Sequence, residues 1–416
     1  MPKPVKFTPK LLPSRKRKPS RWLMQQVVID EALDSDGVAD RKFLDTLERI
    51  DTSPWWSVDQ IRPLFHGPDF LHRLLHQISQ AESEVLLESY IFHADQSGQQ
   101  LAHALTRAAA RGVSVCVLVD AWGSNQTDPA FWQQLRAGGV ALKRFKPPHL
   151  GFLYPIVRDH RKICVIDRKV AYLGGMNIGD EYLRQSTSLW RDTQVEIHGA
   201  VCAELTVVFN ECWCQAGGAP LNLPSAQTYP SDPNKAQLLV QDSLPGRGLL
   251  EATLGFVATC HAARERLWIT NAYFAPKRVV IKSLLAAVQR GVDVRLLFPA
   301  KSDIPVLKWA ARSVYADLLK GGARVFEYQP SVLHAKSLLA DRTLSVIGSQ
   351  NLDARSYQFN AECNVVIDAQ PVNELMAEQF LTDLKQANEI ELASWQQRSI
   401  GSRIRSAIAR IIAPLL

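Results

Sequence analysis

The chain has 416 residues, 46% of them apolar and 21% charged, which suits two or three packed domains and excludes a disordered or fibrous polymer. No run of eighteen apolar residues occurs, so no ordinary membrane-spanning helix is expected; the basic start lacks an apolar segment leading to a cleavage site, so no secretory signal is expected either. The formal charge of +7 is uneven: eight of the 48 basic residues and none of the 41 acidic ones lie in 1–22.

Those eight are Lys3, Lys6, Lys10, Arg15, Lys16, Arg17, Lys18 and Arg21, and five prolines interrupt them. Residues 1–22 therefore read as a disordered basic arm. Residues 23–68 form a prelude without a clear pattern; Trp55 and Trp56, after Pro54, suit either a lipid interface or ordinary packing.

From 69 to 214 an α/β unit is predicted. A helical stretch carrying Phe70, Leu71, Leu74, Leu75 and Ile78 leads into a strand over 85–92, and a helix from about Gln99 stops at Arg111-Gly112. A strand over 113–119, a helix through Phe131 and Leu135 that stops at Gly138-Gly139, and a strand over 140–145 follow. Residues 215–246, rich in Pro, Gly and Ser, read as a linker. The second unit, 247–392, repeats the order: helix 249–263, strand 267–274, a helix stopping at Arg290-Gly291, strand 292–298, a helix from about Ile304 to Gly321-Gly322, and strand 324–328. The last segment, 393–416, is basic and amphipathic, with Ile404, Ile408, Ile411 and Ile412 on one helical face. It suits the plane of an anionic bilayer or packing on the body, and both readings stay open.

Each half closes on the same pattern. The first copy is His160-Arg-Lys162, then Asp167, then Gly174-Gly175-Met-Asn177; the second is His334-Ala-Lys336, then Asp341, then Gly348-Ser349-Gln-Asn351, with identical spacing. In β-like sequence, positions i and i+2 share a face, so His and Lys point the same way. The Asp-Arg pairs at 167–168 and 341–342 form turns that return the chain to bring Gly175 or Ser349 and the asparagine beside the start. Small residues admit an anion to backbone N–H groups, and Asn177 and Asn351 add amide donors, so all four are candidate phosphate-binding residues. Two imidazoles and two ammonium groups facing each other make a nucleophile, an acid and a charge clamp for a phosphodiester. One neutral ring attacks phosphorus while the other protonates the leaving alcohol, and the lysines neutralise the equatorial oxygens in place of a metal ion. No metal and no cofactor are expected, and EDTA should leave activity unchanged.

The doubled H-x-K-x4-D-x6-G-[GS]-x-N pattern resembles the phospholipase D superfamily. Asp120-Ala-Trp-Gly-Ser124, Asn271-Ala-Tyr-Phe274, Phe326-Glu-Tyr328 and Gly348-Ser-Gln-Asn-Leu-Asp353 resemble the bacterial cardiolipin synthases without transmembrane helices, over roughly 65–390. The resemblance implies an α/β fold of two tandem α-β-α-β-α sandwich domains forming a pseudo-twofold intramolecular dimer, with the site between them. It makes His160 the nucleophile and His334 the acid/base, with Lys162, Lys336, Asp167 and Asp341 completing the catalytic motifs. Turn chemistry favours scaffold roles for Asp167 and Asp341. Downstream carboxylates, Asp192 and Glu362, are implied to orient the histidines. Gly175 departs from the usual Ser. Glu88, Tyr273 and Asp303 are candidate substrate contacts at strand ends and loops.

The implied reaction is phosphatidyl transfer between two phosphatidylglycerols, with hydrolysis as the nearest alternative and nucleic-acid phosphodiester cleavage a more distant one. Expected partners are anionic phospholipids and a membrane surface, not nucleic acid, at the cytoplasmic face of a bacterial cell membrane; the sequence leaves oligomeric state open. Seven scattered cysteines read as buried thiols, and Cys212-Trp-Cys214 has the wrong spacing for a zinc site.

Overall fold

The duplicated order takes shape as two mixed sheets of matching topology. The computed structural model describes residues 21–146, 157–184, 189–223, 232, 234–244 and 249–412; the basic arm up to residue 20 and parts of the expected linker lie outside them. Two helices, α1 (Arg21–Asp34) and α2 (Arg41–Asp51), and a short strand β1 (Trp55–Ser57) come first. The first unit runs β2 (Gln60–Leu64), α3 (Gly67–Gln80), β3 (Glu84–Ser89), α4 (Gln96–Ala110), β4 (Ser114–Asp120), α5 (Pro129–Ala137), β5 (Ala141–Phe145), β6 (Arg158–Asp159), β7 (Lys162–Ile166), β8 (Val170–Gly174), α6 (Asp180–Leu183), β9 (Gln194–His198) and α7 (Val201–Gln215). The second runs β10 (Gln237–Ser243), α8 (Leu249–Ala262), β11 (Arg266–Asn271), α9 (Arg278–Gln289), β12 (Asp293–Lys301), α10 (Pro305–Lys320), β13 (Arg324–Val332), β14 (Lys336–Ala340), β15 (Leu344–Gly348), β16 (Asn360–Asp368) and α11 (Gln370–Leu384). β17 (Ala387–Ile390), α12 (Leu392–Gln396) and α13 (Ile400–Ile412) follow.

The first sheet has the order β2-β9-β8-β7-β3-β4-β5, and the second has the corresponding order β10-β16-β15-β14-β11-β12-β13, extended by β1 and β17. In each, three consecutive strands are parallel and the rest antiparallel. The helix stops work as the sequence implies: Gly112 and Gly291, just past the ends of α4 and α9, both take φ +91°. β10 lies inside the stretch expected to be a linker. Its Leu238, Leu239 and Val240 are buried between β1 and β16, so the repeat begins one strand earlier than its helical stretch suggested.

The prelude ties the two sheets together, since β1 pairs with β10 of the second and β2 with β9 of the first. Trp55 is buried, and its indole N–H donates to the Leu44 carbonyl at 3.0 Å; Trp56 is half-buried against the core. A role for Trp55 at a lipid interface is thereby corrected to packing, because its one polar atom is already satisfied inside.

One of three apolar clusters among the described residues runs between the halves. It joins Leu86, Ile163 and Phe209 of the first to Leu339, Val365 and Phe380 of the second. Each such side chain contributes about 1.5–3 kcal/mol on burial. Groups contributed by the two halves are therefore held in fixed register.

Candidate active site

Backbone pairing between the halves builds the site. β6, just before His160, runs parallel to the start of β16, and the His160 N–H donates to the Ala361 carbonyl at 2.9 Å. The mirror arrangement joins Arg191 to Leu333, where the His334 N–H donates to the Arg191 carbonyl at 2.7 Å. Each histidine thus lies beside the residue before a carboxylate of the other half.

The side chains follow. His160 Nδ1 lies 3.0 Å from Glu362 Oε2, and His334 Nδ1 lies 2.7 Å from Asp192 Oδ2. Both carboxylates read from the sequence are brought to the histidines, and they are crossed: the first-half histidine takes the second-half acid and the reverse. Glu362 also accepts from the Ser349 hydroxyl at 2.5 Å, the Ser356 hydroxyl at 2.8 Å and the Asn360 amide at 3.1 Å. Burial opposes its charge, but His160, Lys162 and Ser349 hold its carboxyl below the ordinary range. Burial likewise opposes charge on Asp192, and Lys336, His334 and the Thr193 amide outweigh it. An ionised carboxylate on each Nδ1 requires the proton there, so Nε2 carries the lone pair in a neutral ring and the transferable proton in an imidazolium. Lys336 Nζ is 2.8 Å from the same His334 Nδ1, and with that nitrogen protonated it donates instead to the His334 carbonyl. Lys162 Nζ donates to the His160 carbonyl at 2.7 Å.

One cleft of about 450 Å³ is lined by both histidines together with Asn177, Asn351, Tyr273 and Asp303. The Tyr273 hydroxyl donates to Asp303 at 2.7 Å. Asn177 Oδ1 accepts from the Ile91 N–H at 3.1 Å, whereas Asn351 Oδ1 is buried without a partner among the described residues. The rings of Tyr90 on His160, and of Tyr182, Trp190 and Tyr273 on His334, stand 4.8–5.9 Å from the imidazoles. Tyr90, Tyr182 and Trp190 were not among the residues singled out, because lone aromatics carry no spacing signal.

The expected roles of Gly175, Ser349 and Glu88 are corrected. The Gly175 and Ser349 amides donate to the Thr193 and Cys363 carbonyls at 3.0 Å each, so they are not open to a phosphate. A Cβ at Gly175 would fall on the Asp192 carboxylate, which explains why Gly stands there, whereas Ser349 donates to the longer Glu362. Glu88 points away from the cleft into a fully buried group with Asp159 and Cys212, where burial and then Asp159 raise its carboxyl well above the ordinary range. That trio is the one cluster with metal-ligating atoms among the described residues, and Arg161 beside it already supplies a positive charge.

We assign Asp167 and Asp341 to the scaffold. They sit at the far ends of β7 and β14, roughly 15 Å from the histidine ends at about 3.3 Å per residue. Asp167, at φ +51°, accepts from the Glu82, Ser83 and Glu84 amides at 2.7–2.9 Å, and Asp341, at φ +47°, accepts from Arg264 and Glu265. They fasten the turn to the start of the neighbouring strand. Asp167→Ala should therefore lower the urea unfolding free energy by about 1–3 kcal/mol and leave kcat within about twofold. A loss of kcat without loss of stability would reverse that assignment.

The sequence profile described as "Cardiolipin synthase, PLD-like domain" matches residues 74–213 and 256–384, one copy in each half. The chain belongs to this family. Cardiolipin synthase A of Pseudomonas syringae pv. syringae strain B728a is 36% identical over 380 residues, covering 90% of this chain and 78% of the relative. Cardiolipin synthase of Clostridium perfringens strain SM101 is 33% identical, covering 88% and 79%. Among solved structures, phosphatidylserine synthase of Haemophilus influenzae Rd KW20 superimposes with a TM-score of 0.71 at 16% identity, over 90% of this chain and 100% of that one, a likeness of fold. The family's two PLD-like domains are the two halves that cross their carboxylates here.

Electrostatics set the pH range of the site. Burial, with the neighbouring lysines, pushes His160 down to about 4 against the pull of Glu362, and burial pushes Lys162 down to about 7 and Lys336 to about 8. His160 is thus neutral above about pH 4, while the lysines lose their charge as pH rises through 7 to 8. If the two ammonium groups hold the phosphodiester, kcat/KM should fall between pH 7 and 8, above the range in which His334, held below the ordinary imidazole value by burial and Lys336, loses its own proton. A profile flat to pH 9 would remove the lysines from that contact.

Proposed function

We propose that the protein is a phosphatidyltransferase that makes cardiolipin from two molecules of phosphatidylglycerol. The observation carrying this reading is a single cleft holding two imidazoles whose Nδ1 atoms are both committed to ionised carboxylates, with each motif lysine bonded to the carbonyl of its own histidine. His160 Nε2 attacks phosphorus with its lone pair, the bond to the headgroup glycerol breaks, and His334, which enters the step as imidazolium with Nδ1–H on Asp192, gives that oxygen its Nε2 proton. The hydroxyl of a second phosphatidylglycerol then gives a proton to His334 and attacks phosphorus, and the P–N bond breaks. The balance is two phosphatidylglycerols to one cardiolipin and one glycerol. The aromatic rings around the imidazoles support transfer over hydrolysis, because they shed water from the reacting atoms.

Incubation with phosphatidylglycerol vesicles and mass spectrometry of the products tests this. Cardiolipin and glycerol in equal amounts are expected. Phosphatidic acid without cardiolipin would make the enzyme a hydrolase, and cleavage of single-stranded DNA would move its substrate class altogether.

No described helix is long and apolar enough to cross a membrane. In our reading the enzyme is peripheral, on the cytoplasmic face of a bacterial membrane. α13 supports this by combining the two alternatives left open by the sequence. Its Ser406 and Ala409 pack against the body, and Arg410 reaches Asp317 of α10 at 3.6 Å. Ile404, Ile408 and Ile411 remain 52%, 55% and 76% exposed, with Arg403, Arg405 and Arg410 on the same helix. Ile404→Asp with Ile408→Asp should weaken sedimentation with anionic vesicles by about tenfold or more. Unchanged sedimentation would take α13 out of the membrane contact.

A further inference from the structure

The cleft has an apolar rim that neither the proton transfers nor the phosphate contacts use. Among the large apolar side chains that stay exposed, Trp122 (51%) and Ile304 (41%) both line the cleft. They come from topologically equivalent connections of the two halves: Trp122 from the segment after β4, Ile304 from the segment after β12, each at the carboxyl end of the middle parallel strand.

Both are held outward. The Trp122 and Gly123 amides donate to Asp120 Oδ1 at 2.9 and 2.8 Å, and Ser124 Oγ donates to the Tyr90 carbonyl at 3.1 Å while accepting from the Phe92 amide. Gly123 presses so closely on Tyr90 that a Cβ there would collide with it. The turn is thus locked with its indole outside, stacked at 4.6 Å by the Arg158 guanidinium. Ile304 sits in a short turn closed by Ser302, whose hydroxyl donates to its carbonyl and accepts from its amide, directly ahead of Pro305. The acidic groups lining the cleft are internally engaged: Asp303 with the Tyr273 hydroxyl, Glu181 with His93 Nε2 at 3.4 Å, and Asp353 with the Ser356 amide at 2.8 Å. Arg158 and Arg355, also lining the cleft, add positive charge.

We propose that this rim is a bilayer-docking surface: Trp122 and Ile304 insert at the headgroup–acyl boundary of an anionic phospholipid membrane, one from each half, so that the cleft opens face-down onto the lipid. An amphipathic indole backed by an arginine suits that boundary, and a β-branched apolar side chain held in water does not suit the alternative. The inference rests on the lipid reading of the site and adds an orientation: a phospholipid enters headgroup first, without leaving the bilayer.

Vesicles of phosphatidylglycerol with brominated acyl chains read the insertion directly. Trp122 is one of ten tryptophans. Wild-type emission should be quenched on binding, and Trp122→Phe should lose part of that quenching while still binding. In Trp122→Ala with Ile304→Ser, turnover of vesicle phosphatidylglycerol should fall about tenfold more than turnover of a dispersed short-chain phosphatidylglycerol; an unchanged melting temperature shows that the variant is folded. Equal quenching in wild type and Trp122→Phe would overturn the proposal, and so would equal losses on the two substrates, which would make the rim a substrate contact. Quenching does not depend on the product formed, so an enzyme that makes phosphatidic acid would refute the transferase reading and leave this one standing.

Discussion

His160→Ala should remove about four orders of magnitude of turnover and leave no covalent phosphatidyl-enzyme, whereas His334→Ala should be similarly slow yet retain the capacity to hold the adduct. The two variants differ because the residues enter at different steps. Without His160 no P–N bond forms. Without His334, attack still occurs when the leaving group needs no proton, as with a nitrophenyl phosphodiester, and the trapped intermediate then lacks the base that activates the incoming hydroxyl. Rapid acid quench and peptide mass spectrometry should find the phosphoryl adduct on the peptide containing residue 160. An adduct on the peptide containing residue 334 would exchange the roles of the two histidines, since the near-symmetric site does not by itself distinguish them. Neither substitution should unfold the protein, because the backbone bonds at 160 and 334 that join the halves do not involve the rings.

Much of this was legible in the sequence because the chain is written twice. One histidine two residues from a lysine means little, but two copies with the same spacing, each preceded by the same order of helices, strands and glycine stops, locate the site and the fold class together. The resemblance then supplied Asp192 and Glu362. What remained hidden depends on contacts far apart in the chain. The partners of the His160 and His334 rings lie 202 and 142 residues away, and nothing local indicates that each belongs to the opposite half. β10 was masked by the Pro, Gly and Ser around it, and α1 and α2 carry no repeat because they pack with the core of the second half. Glu88 was misplaced for a different reason. It lies near the end of a strand that does lead toward the site, but period-two alternation decides which face a side chain takes, and Glu88 shares the face of Ile163 while Ser89 shares that of Lys162.

The crossed pairing makes a step-specific prediction. Asp192→Asn and Glu362→Gln should each lower steady-state turnover by about 10²–10⁴-fold, since an amide no longer stabilises an imidazolium or fixes the Nδ1–H tautomer. They should do so at different steps. Glu362 orients the nucleophile, so Glu362→Gln should slow adduct formation, seen as a weaker burst of leaving group. Asp192 orients the acid/base, so with a nitrophenyl phosphodiester, whose leaving group needs no proton, Asp192→Asn should slow adduct breakdown alone, and the phosphoryl-enzyme should accumulate on His160. Pairing within each half would give the reverse assignment, so burst kinetics on the two variants discriminate between the arrangements. Glu362→Gln should also cost about 1–3 kcal/mol of stability, because its new amide N–H₂ faces donors from Ser349, Ser356 and Asn360 that the carboxylate accepted. Asp192 takes one further bond, from the Thr193 amide at 2.7 Å, so its variant should remain closer to wild-type stability while losing activity.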